Sequence, residues 1–231
     1  MNPARPLIVA IDGPAGAGKS TVSKILARRL DFALVDTGAI YRCVALAART
    51  QKIRFDDDQR LGQLLETLTI SFKVEGENNE VFLDSLDVSE AIRSPEISIA
   101  ASQVSSRPVV RAGLLELQRR LALAARTGAI LEGRDIGTVV FPDADLKFFL
   151  FADPTIRARR RYEELFEKGT ENSLEAVLKE QTRRDKEDSE REAAPLKAAD
   201  DAMHIDSSSM PLSEVVRQLE ETVRLALSRR A

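Results

Sequence analysis

The stretch Gly13-Pro-Ala-Gly-Ala-Gly-Lys19-Ser20 determines how the rest of the chain is interpreted. It fits the pattern G-x-x-x-x-G-K-[ST], follows a short apolar run at Leu7–Ile11 and opens a helical pattern at Lys19–Leu30. Glycines allow backbone N–H groups to curve around phosphate oxygens, and the positive end of the following helix adds to the anion site. We therefore expect Lys19 to reach the β- and γ-phosphates of a nucleoside triphosphate, and the Ser20 hydroxyl to ligate Mg²⁺.

This loop supplies the first set of predicted site residues, with ATP as the expected co-substrate and Mg²⁺ as its metal ion. The residues expected to contact the nucleotide are Gly13, Pro14, Ala15, Gly16, Ala17, Gly18, Lys19, Ser20 and Thr21. Lys19 is also a predicted catalytic residue, because an ammonium group beside the γ-phosphate stabilises the charge on a migrating phosphoryl group.

Other classes of phosphate-loop protein fit the sequence less well. A GTPase reads guanine with N-K-x-D and senses the γ-phosphate with D-x-x-G, and neither pattern occurs in the sequence. A motor ATPase is expected to have an apolar run that ends in Asp-Glu, and no such run occurs either. The sequence therefore favours a small phosphotransferase.

Composition limits the remaining possibilities. The 231 residues, 43% of them hydrophobic, are enough for one domain, or for one domain with insertions. A net charge of −3 gives no basic field for nucleic acid or membranes. Cys43 and His204 are the only residues of their kinds, which excludes a disulfide framework and a structural Cys/His zinc site. The apolar run at Leu7–Ile11 is too short for a signal peptide or a membrane span. We expect a cytoplasmic monomer that binds small molecules.

Short apolar runs alternate with longer helical patterns, which predicts an α/β fold in which helices cover both faces of a parallel sheet. The predicted core strands are Leu7–Ile11, Ala33–Val35, Ala129–Leu131, Leu146–Phe151 and Ala202–Ile205. The predicted helices are Lys19–Leu30, Ala39–Arg49, Pro108–Arg126, Pro154–Glu167 and Leu212–Arg229.

Two segments depart from this alternation. Residues 70–88 contain two alternating apolar stretches around the turn-forming sequence Glu75-Gly-Glu-Asn-Asn, which predicts an inserted β-hairpin. The segment Lys179–Lys197 is highly charged and has few large apolar residues. Taken by itself, it predicts an exposed helix with ion pairs between residues four positions apart.

Arginines follow the ends of the predicted strands, where α/β proteins bind ligands. Arg42 lies one turn into the helix after the second strand, and Arg134 and Asp135 follow the third strand. Arg111 lies near the start of a long helix. Guanidinium groups bind phosphate in a bidentate manner. Each arginine taken singly is more often a surface residue, but together their positions favour an anionic acceptor.

Five segments together resemble the bacterial cytidylate kinase family. They are Asp12-Gly-Pro-Ala-Gly-Ala-Gly-Lys-Ser, Thr37-Gly-Ala-Ile-Tyr-Arg, Ala101-Ser-Gln-Val, Gly133-Arg-Asp-Ile-Gly-Thr-Val-Val-Phe-Pro-Asp and Ala194-Pro-Leu. The order and spacing resemble those of the family from residue 7 to the C-terminal helix. The hairpin at residues 70–88 resembles the extra β-subdomain of the long bacterial form. The loop at residues 13–20 alone would fit many families, whereas the joint match is specific.

The resemblance implies a P-loop nucleoside monophosphate kinase fold. This fold has a five-stranded parallel sheet with helices on both faces, a small inserted antiparallel β-subdomain and a helical lid. It divides a single kinase domain into a core (about residues 1–36, 108–153 and 193–231), a region that binds the nucleoside monophosphate and carries the hairpin (about 37–107), and a lid (about 154–192).

The resemblance also implies an acceptor site, position by position. The residues implied to hold the CMP phosphate are Thr37, which stands where the family often has Ser, Arg42 and Arg134. The residues implied to read cytosine are Ser102, Arg111 and Asp135. The residues implied to meet the sugar and phosphates are Arg184, Asp188 and Arg191. At these last three positions, this role replaces the interpretation as a solvated helix.

Three further arginines, Arg157, Arg160 and Arg161, resemble lid residues that close over ATP. Arg160 joins Lys19 and Arg134 as a predicted catalytic residue, and Arg157 and Arg161 are predicted to bind ATP. Ser20 is the predicted metal ligand. Glu132 stands where many family members have Asp, so the carboxylate is retained on a longer side chain.

The implied reaction is ATP + CMP → ADP + CDP, with dCMP as a second acceptor. Two alternatives stay open. Another small-molecule P-loop kinase, of the shikimate or gluconate type, needs no residues that read a base. A non-catalytic nucleotide-binding regulator would bind ATP without acceptor-dependent release of ADP.

Overall fold

The computed structural model describes residues 5–75, 78–167, 169–170 and 172–230, without the side chains of residues 74, 75, 78 and 79. The strands are β1 (Leu7–Asp12), β2 (Ala33–Asp36), β3 (Ile70–Glu75), β4 (Asn78–Leu83), β5 (Leu86–Asp87), β6 (Gly128–Gly133), β7 (Leu146–Phe151) and β8 (Met203–Asp206). The helices are α1 (Lys19–Leu30), α2 (Thr37–Thr50), α3 (Asp58–Thr67), α4 (Pro95–Ser105), α5 (Pro108–Leu123), α6 (Pro154–Glu167), α7 (Leu174–Glu190) and α8 (Leu212–Ser228).

The predicted α/β fold is confirmed. A five-stranded parallel sheet has the order β2-β6-β1-β7-β8. β1 pairs in parallel with both β6 and β7, and β7 pairs in parallel with β8. Because β1 is the central strand, the loop that follows it starts at the middle of the sheet edge, between the ends of β6 and β7.

A continuous apolar core fixes α1 and α8 against one face of this sheet. Alternate residues of β1, namely Leu7, Val9 and Ile11, belong to the core cluster. Leu26 of α1 and Leu219 of α8 complete it and are fully buried. Burial of side chains of this size contributes about 1.5–3 kcal/mol each. The packing therefore holds the start of α1, and with it Lys19, in a fixed position.

The predicted bounds agree with the structure for α1, α6 and β7 and differ by a few residues elsewhere. Helix α2 begins two residues earlier than predicted, at Thr37 and not at Ala39. The carboxylate of Asp36 caps this helix by accepting a hydrogen bond from the Ala39 N–H at 2.8 Å. Pro108–Arg126 was predicted to be one helix, but α5 ends at Leu123.

Several elements differ from the prediction or were not predicted. Helices α3 and α4 have no counterpart among the predicted elements. The predicted hairpin is a three-stranded antiparallel sheet in the order β3-β4-β5, and the centre of its predicted turn, residues 76–77, lies outside the described residues. The prediction of one helix over Lys179–Lys197 was wrong at its end, since α7 stops at Glu190. There the backbone of Arg191 becomes extended.

The chain divides into two compact units. One comprises the residues up to Leu34 and from Leu121 onward, and the other comprises Val35–Arg120. The first unit contains most of the parallel sheet together with α1 and α6–α8, and the second contains α3, α4 and the antiparallel sheet. The finer division into core, monophosphate-binding region and lid stays a prediction. Within the described residues, no helix is both long enough and apolar enough to span a membrane.

One substitution tests the packing beneath β6. A Cβ atom at Gly128 would lie 2.4 Å from ring carbons of Phe32, which belongs to the core cluster. Gly128→Ala should therefore lower the free energy of unfolding by about 1–3 kcal/mol. The expected fall in Tm is about 2–4 °C for each kcal/mol. Differential scanning calorimetry measures both quantities.

The matched control is Gly62→Ala in α3. Its Cβ atom would meet only Val109, at an ordinary contact distance of 3.5 Å, and alanine favours a helix over glycine by roughly 1 kcal/mol. Tm should be unchanged or higher. A Gly128→Ala variant as stable as wild type would show that Phe32 is not held in the described position.

Candidate active site

The phosphate loop depends on glycine at two positions where a side chain has no room. A Cβ atom on Gly13 would lie 1.9 Å from the backbone oxygen of Leu150. A Cβ atom on Gly16, whose φ is +76°, would lie 2.9 Å from Nε2 of Gln181. Gly18, which precedes α1, has no side chain that could cap the helix. The loop therefore leaves the N–H groups at the start of α1 available to an anion.

Lys19 is buried at the start of α1, and its Nζ donates a hydrogen bond to the Pro14 carbonyl oxygen at 2.7 Å. Burial is the largest cause that lowers the pKa of Lys19, and the positive charge of Arg134 lowers it further. The charges of Glu132 and Asp12 act in the opposite direction. An anion bound beside Lys19 would therefore stabilise its charged form.

Ser20 and Glu132 bring two oxygen donors together next to Lys19. The Ser20 hydroxyl donates a hydrogen bond to the buried Glu132 carboxylate at 2.8 Å. Among the described residues, no group of three or more His, Cys, Asp or Glu side chains could hold a metal ion by itself. Mg²⁺ in phosphate loops uses one or two protein oxygens together with substrate phosphates and water. The Ser20–Glu132 pair fits Mg²⁺, because both donors are oxygens.

Asp12 fixes the turn that carries two predicted site residues. As the last residue of β1, it accepts hydrogen bonds from the N–H groups of Ile136 at 2.8 Å and Gly137 at 2.7 Å. Burial raises the pKa of Asp12 to about 6, although these two bonds oppose the shift. The bonds hold the backbone that directly follows Arg134 and Asp135, at the start of a π-helical turn over Ile136–Val140.

Arg134 and Arg191 share the carboxylate of Asp188. Arg134 Nε donates to Asp188 at 2.9 Å, and Arg191 Nη1 lies 3.5 Å from the second oxygen of the same carboxylate. Arg191 also lies 3.6 Å from Asp135 and donates to the Ala194 carbonyl oxygen at 2.6 Å. The Ala194-Pro-Leu segment thus helps to orient Arg191.

This network determines the charge of Asp188. Burial alone would raise the pKa of this carboxyl, but Arg134, Arg184 and Arg191 together lower it below its usual value. Asp188 is therefore ionised at neutral pH and can keep several arginines close together. The first unit thus brings together five of the predicted site residues, Lys19, Arg134, Asp135, Asp188 and Arg191. A sixth, Arg184, is close enough to lower the pKa of both Lys19 and Asp188.

The three predicted lid arginines of α6 have different surroundings. Arg157 is buried and donates to the backbone oxygens of Ala152 at 2.9 Å and Ala15 at 2.8 Å. Arg160 donates to the Ser207 backbone oxygen at 2.6 Å. Arg161 forms an ion pair with Glu164 one turn further along α6, at 2.7 Å. Their assignment to ATP stays a prediction.

The second unit contains the other predicted acceptor residues. Thr37 is buried at the start of α2, and Arg42, one turn later, lies 3.4 Å from Asp36. Within the part of the chain that the structure describes, Nε of Arg42 is buried and has no hydrogen-bond partner. A guanidinium group with unused donor capacity suits a phosphate ligand.

Arg111 and Ser102 lie on helices of the same unit. The Arg111 guanidinium lies 5.4 Å from the centre of the Tyr41 ring and donates to the Ser105 backbone oxygen at 3.0 Å. Ser102 is on α4, which packs against α2. The cation–π contact orients Arg111 without neutralising it.

The sequence interpretation missed three residues that shape the site: Asp12, Gln181 and Asp185. Asp12 was visible as a carboxylate at the end of a fully apolar strand, which is an unusual place for an unpaired charge. Gln181 and Asp185 are four positions apart within the charged stretch, so they share one face of α7. No pattern in the sequence distinguishes these two from their solvated neighbours.

The chain is similar to known proteins over nearly its whole length. A family model described as Cytidylate kinase matches residues 9–225. A cytidylate kinase from Geobacter sulfurreducens is 52% identical over 220 residues, which covers 95% of this chain and 94% of the relative. One from Geobacter sp. (strain M21) is 50% identical over 222 residues, with 96% and 94% covered. One from Geobacillus sp. (strain WCH70) is 46% identical over 215 residues, with 93% and 95% covered.

The match to the family extends across both compact units, from β1 into α8, and includes all five segments that carried the resemblance. The resemblance found in the sequence is thereby confirmed, and the chain belongs to the cytidylate kinase family.

Proposed function

We propose that this protein transfers the γ-phosphoryl group of ATP to CMP, with dCMP as a second acceptor. The observation that carries the proposal is that Arg134 and Arg191 surround the buried Asp188, with Arg134 close to Lys19 of the phosphate loop, in a chain of this family. Guanidinium and ammonium groups gathered beside a phosphate loop suit the phosphate groups of a nucleotide.

The chemical step needs alignment and neutralisation of charge. A phosphate oxygen of CMP attacks the γ-phosphorus of ATP, the bond from this phosphorus to the bridging β–γ oxygen breaks, and ADP and CDP result. The attacking oxygen is already ionised at neutral pH, so no strong general base is needed. Lys19 and Arg134 would stabilise the charge on the migrating group, and Arg160 would assist them from α6.

ATP would be held by the backbone of the phosphate loop, by Lys19 and by the predicted lid residues Arg157 and Arg161. Ser20 and Glu132 would hold Mg²⁺, which supplies positive charge between the phosphates when it is bound. The metal's fit rests on the two oxygen donors that lie 2.8 Å apart.

CMP would be bound through its phosphate by Thr37, Arg42 and Arg134, and through its base by Ser102, Arg111 and Asp135. Arg184, Asp188 and Arg191 would contact the sugar and phosphates. The buried, unpartnered Nε of Arg42 supports the first assignment. The cation–π contact that orients Arg111 supports the second. Cytoplasmic localisation and the monomeric state stay predictions from the sequence.

Lys19→Ala should reduce turnover far more than it weakens CMP binding, because the ammonium group would meet the ATP phosphates and the migrating charge. Loss of one such electrostatic contact costs roughly 3–4 kcal/mol, or about 10²–10³ in rate. Steady-state kinetics measures the change in kcat, and calorimetric titration measures the affinity for CMP.

Lys24→Ala is the control on the same helix, since Lys24 lies five residues after Lys19 in α1 and has no assigned role. Its turnover should equal that of wild type. Near-normal turnover of a folded Lys19→Ala variant would remove the catalytic assignment of the phosphate loop.

Deletion of residues 70–88 tests whether the small antiparallel sheet belongs to the acceptor site. We expect the KM for CMP to rise while the KM for ATP stays nearly unchanged, because this segment lies between the Arg42 helix and the Ser102 helix in the chain. Circular dichroism must first establish that the variant is folded. An unchanged KM for CMP in that folded variant would show that the sheet is dispensable for acceptor binding.

We expect the nucleobase to determine which nucleoside monophosphate serves as acceptor. The carboxylate of Asp135 can only accept hydrogen bonds, so it suits the N4 amino group of cytosine and repels O4 of uracil. Arg111 donates, so it suits N3 and O2 of cytosine. A site built on such bonds rejects a mismatched ligand by up to about 10⁴. We expect kcat/KM for CMP to exceed that for UMP by at least roughly 10².

Coupled release of ADP with CMP, dCMP, UMP, AMP and shikimate measures this preference and separates the proposed function from its alternatives. Activity with shikimate would favour another small-molecule kinase, and release of ADP that no acceptor stimulates would favour a regulator.

Asp135→Asn should narrow the difference in kcat/KM between CMP and UMP, because an amide can flip and donate to O4. The KM for ATP and the phosphate affinity serve as internal controls, since Arg134 is the neighbouring residue. Equal use of UMP and CMP by wild type would contradict the roles of Asp135 and Arg111.

A further inference from the structure

Arg157 is bound to the phosphate loop itself. Its Nη1 donates to the backbone oxygen of Ala15 at 2.8 Å and lies 2.7 Å from the Asp185 carboxylate. Its Nε donates to Ala152 at the end of β7, and only 5% of its side chain is exposed. These three contacts engage Nε and Nη1 of the guanidinium group within the protein. Arg157 thus links α6, which carries it, to the loop and to α7.

One face of α7 packs against the same part of the loop. Asp185 contributes the carboxylate that pairs with Arg157. Gln181, one turn earlier and buried, has its Nε2 in the space that a Cβ atom on Gly16 would enter. The absence of a side chain at Gly16 is therefore what allows α7 to approach the loop backbone.

The same face of α7 also carries residues of the proposed acceptor site. Arg184 immediately precedes Asp185, and Asp188 pairs with Arg134 at 2.9 Å. Arg191, which caps the helix, lies 3.5 Å from Asp188. Helix α7 thus meets the phosphate loop through Gln181 and through the Asp185–Arg157 pair. Through Asp188 it also meets the arginine cluster, which consists of Arg134, Arg184 and Arg191.

We propose that Arg157 and Asp185 are positioning residues whose ion pair holds α7 against the phosphate loop at the carbonyl group of Ala15. A nucleotide bound to this loop then stabilises the arginine cluster that receives the acceptor, and the ordered cluster stabilises the bound nucleotide. This inference rests on the proposed function for the identity of the acceptor. It gives Arg157 a role different from the contact with ATP that the family resemblance implies.

The physical basis is the rigidity of a helix and the cost of a broken ion pair. Removal of one charge from a buried pair leaves the other charge without compensation, which favours separation of the two elements. α7 is 17 residues long and moves as one body, so a displacement at Asp185 also displaces Asp188. ATP that orders the loop would thus favour the position of α7 in which it packs against the loop. Because such coupling is reciprocal, an acceptor bound to the arginine cluster would favour the ordered loop.

Amide hydrogen exchange with the non-hydrolysable analogue AMP-PNP and Mg²⁺ tests the inference without any acceptor. In wild type, the analogue should slow exchange both in peptides that contain the phosphate loop and in peptides from α7. In Asp185→Asn, protection of the loop should persist while protection of α7 is lost. Asparagine can still accept a hydrogen bond from Arg157, so this variant removes charge and keeps shape. Arg157→Lys is the second variant, and melting curves establish that both are folded.

Calorimetric titration adds a readout of the coupling itself. In wild type, saturating AMP-PNP should tighten CMP binding at least about fivefold, and this factor should fall below about twofold in Asp185→Asn. Asp185→Glu, which restores the carboxylate, should recover part of the factor. Glu187→Gln is the matched control, because it removes the exposed ion pair with Arg183 on the same helix. It should leave both exchange and coupling unchanged.

The inference would be overturned if AMP-PNP gave no protection of α7 in wild type, or if protection in Asp185→Asn and Arg157→Lys were the same as in wild type. Loss of protection in Glu187→Gln as well would also overturn it, since any change in α7 would then have the effect. Failure of wild type to bind CMP would contradict the proposed function instead, and the exchange experiment would still decide the role of the ion pair.

Discussion

Burial of positive charge is the constraint on which the rest of this structure depends. Lys19, Arg157 and Arg191 are each almost fully removed from solvent, and the transfer of such a group from water costs several kcal/mol. The fold compensates each of them with oxygen atoms: a loop carbonyl for Lys19, a carbonyl and Asp185 for Arg157, and Asp188 for Arg191. The compensation is incomplete around Lys19, because burial and Arg134 both lower its pKa. A bound phosphate is the group that would complete it.

The topology of the sheet determines where these charges meet. Asp12 at the end of β1 is in register with Gly133 at the end of β6, so the two strands end at the same level of the sheet. The phosphate loop leaves the first strand there, and Arg134 leaves the second. The hydrogen bonds from Ile136 and Gly137 to Asp12 then join the two chain segments. A binding site at this edge follows from parallel strands with a common register.

Most of this arrangement could be predicted from the sequence, for identifiable reasons. The five parallel strands were predictable because each is a short apolar run. The phosphate loop was predictable because its glycines, Lys19 and Ser20 follow a fixed spacing between a strand and a helix, and at Gly13 a Cβ atom would collide with backbone. The family was predictable because five segments occur in the order and spacing that are typical of it. Helices α3 and α4 were missed although a capping residue precedes each of them. Asp57 accepts a hydrogen bond from the Arg60 N–H, and Ser94, which is followed by Pro95, accepts one from the Ile97 N–H.

The remaining details depend on contacts between residues far apart in the chain. Arg157 and Asp185 lie on different helices, α6 and α7, and each alone resembles a solvated residue of a charged helix. Asp12 and Ile136 are 124 positions apart, and only the register of β1 and β6 brings them together. Motifs that bind a ligand are therefore visible in the sequence, whereas the residues that hold those motifs in position become visible only in the folded chain.

The destination of the transferred phosphoryl group is the most direct test of the central claim. The protein is incubated with Mg²⁺ and ATP labelled in the γ-phosphate, in an equimolar mixture of CMP, UMP and AMP, and the labelled products are separated and counted. If CMP is the acceptor, nearly all of the transferred label appears in the β-phosphate of CDP. Label found chiefly in inorganic phosphate, or shared evenly among the three diphosphates, would contradict this claim.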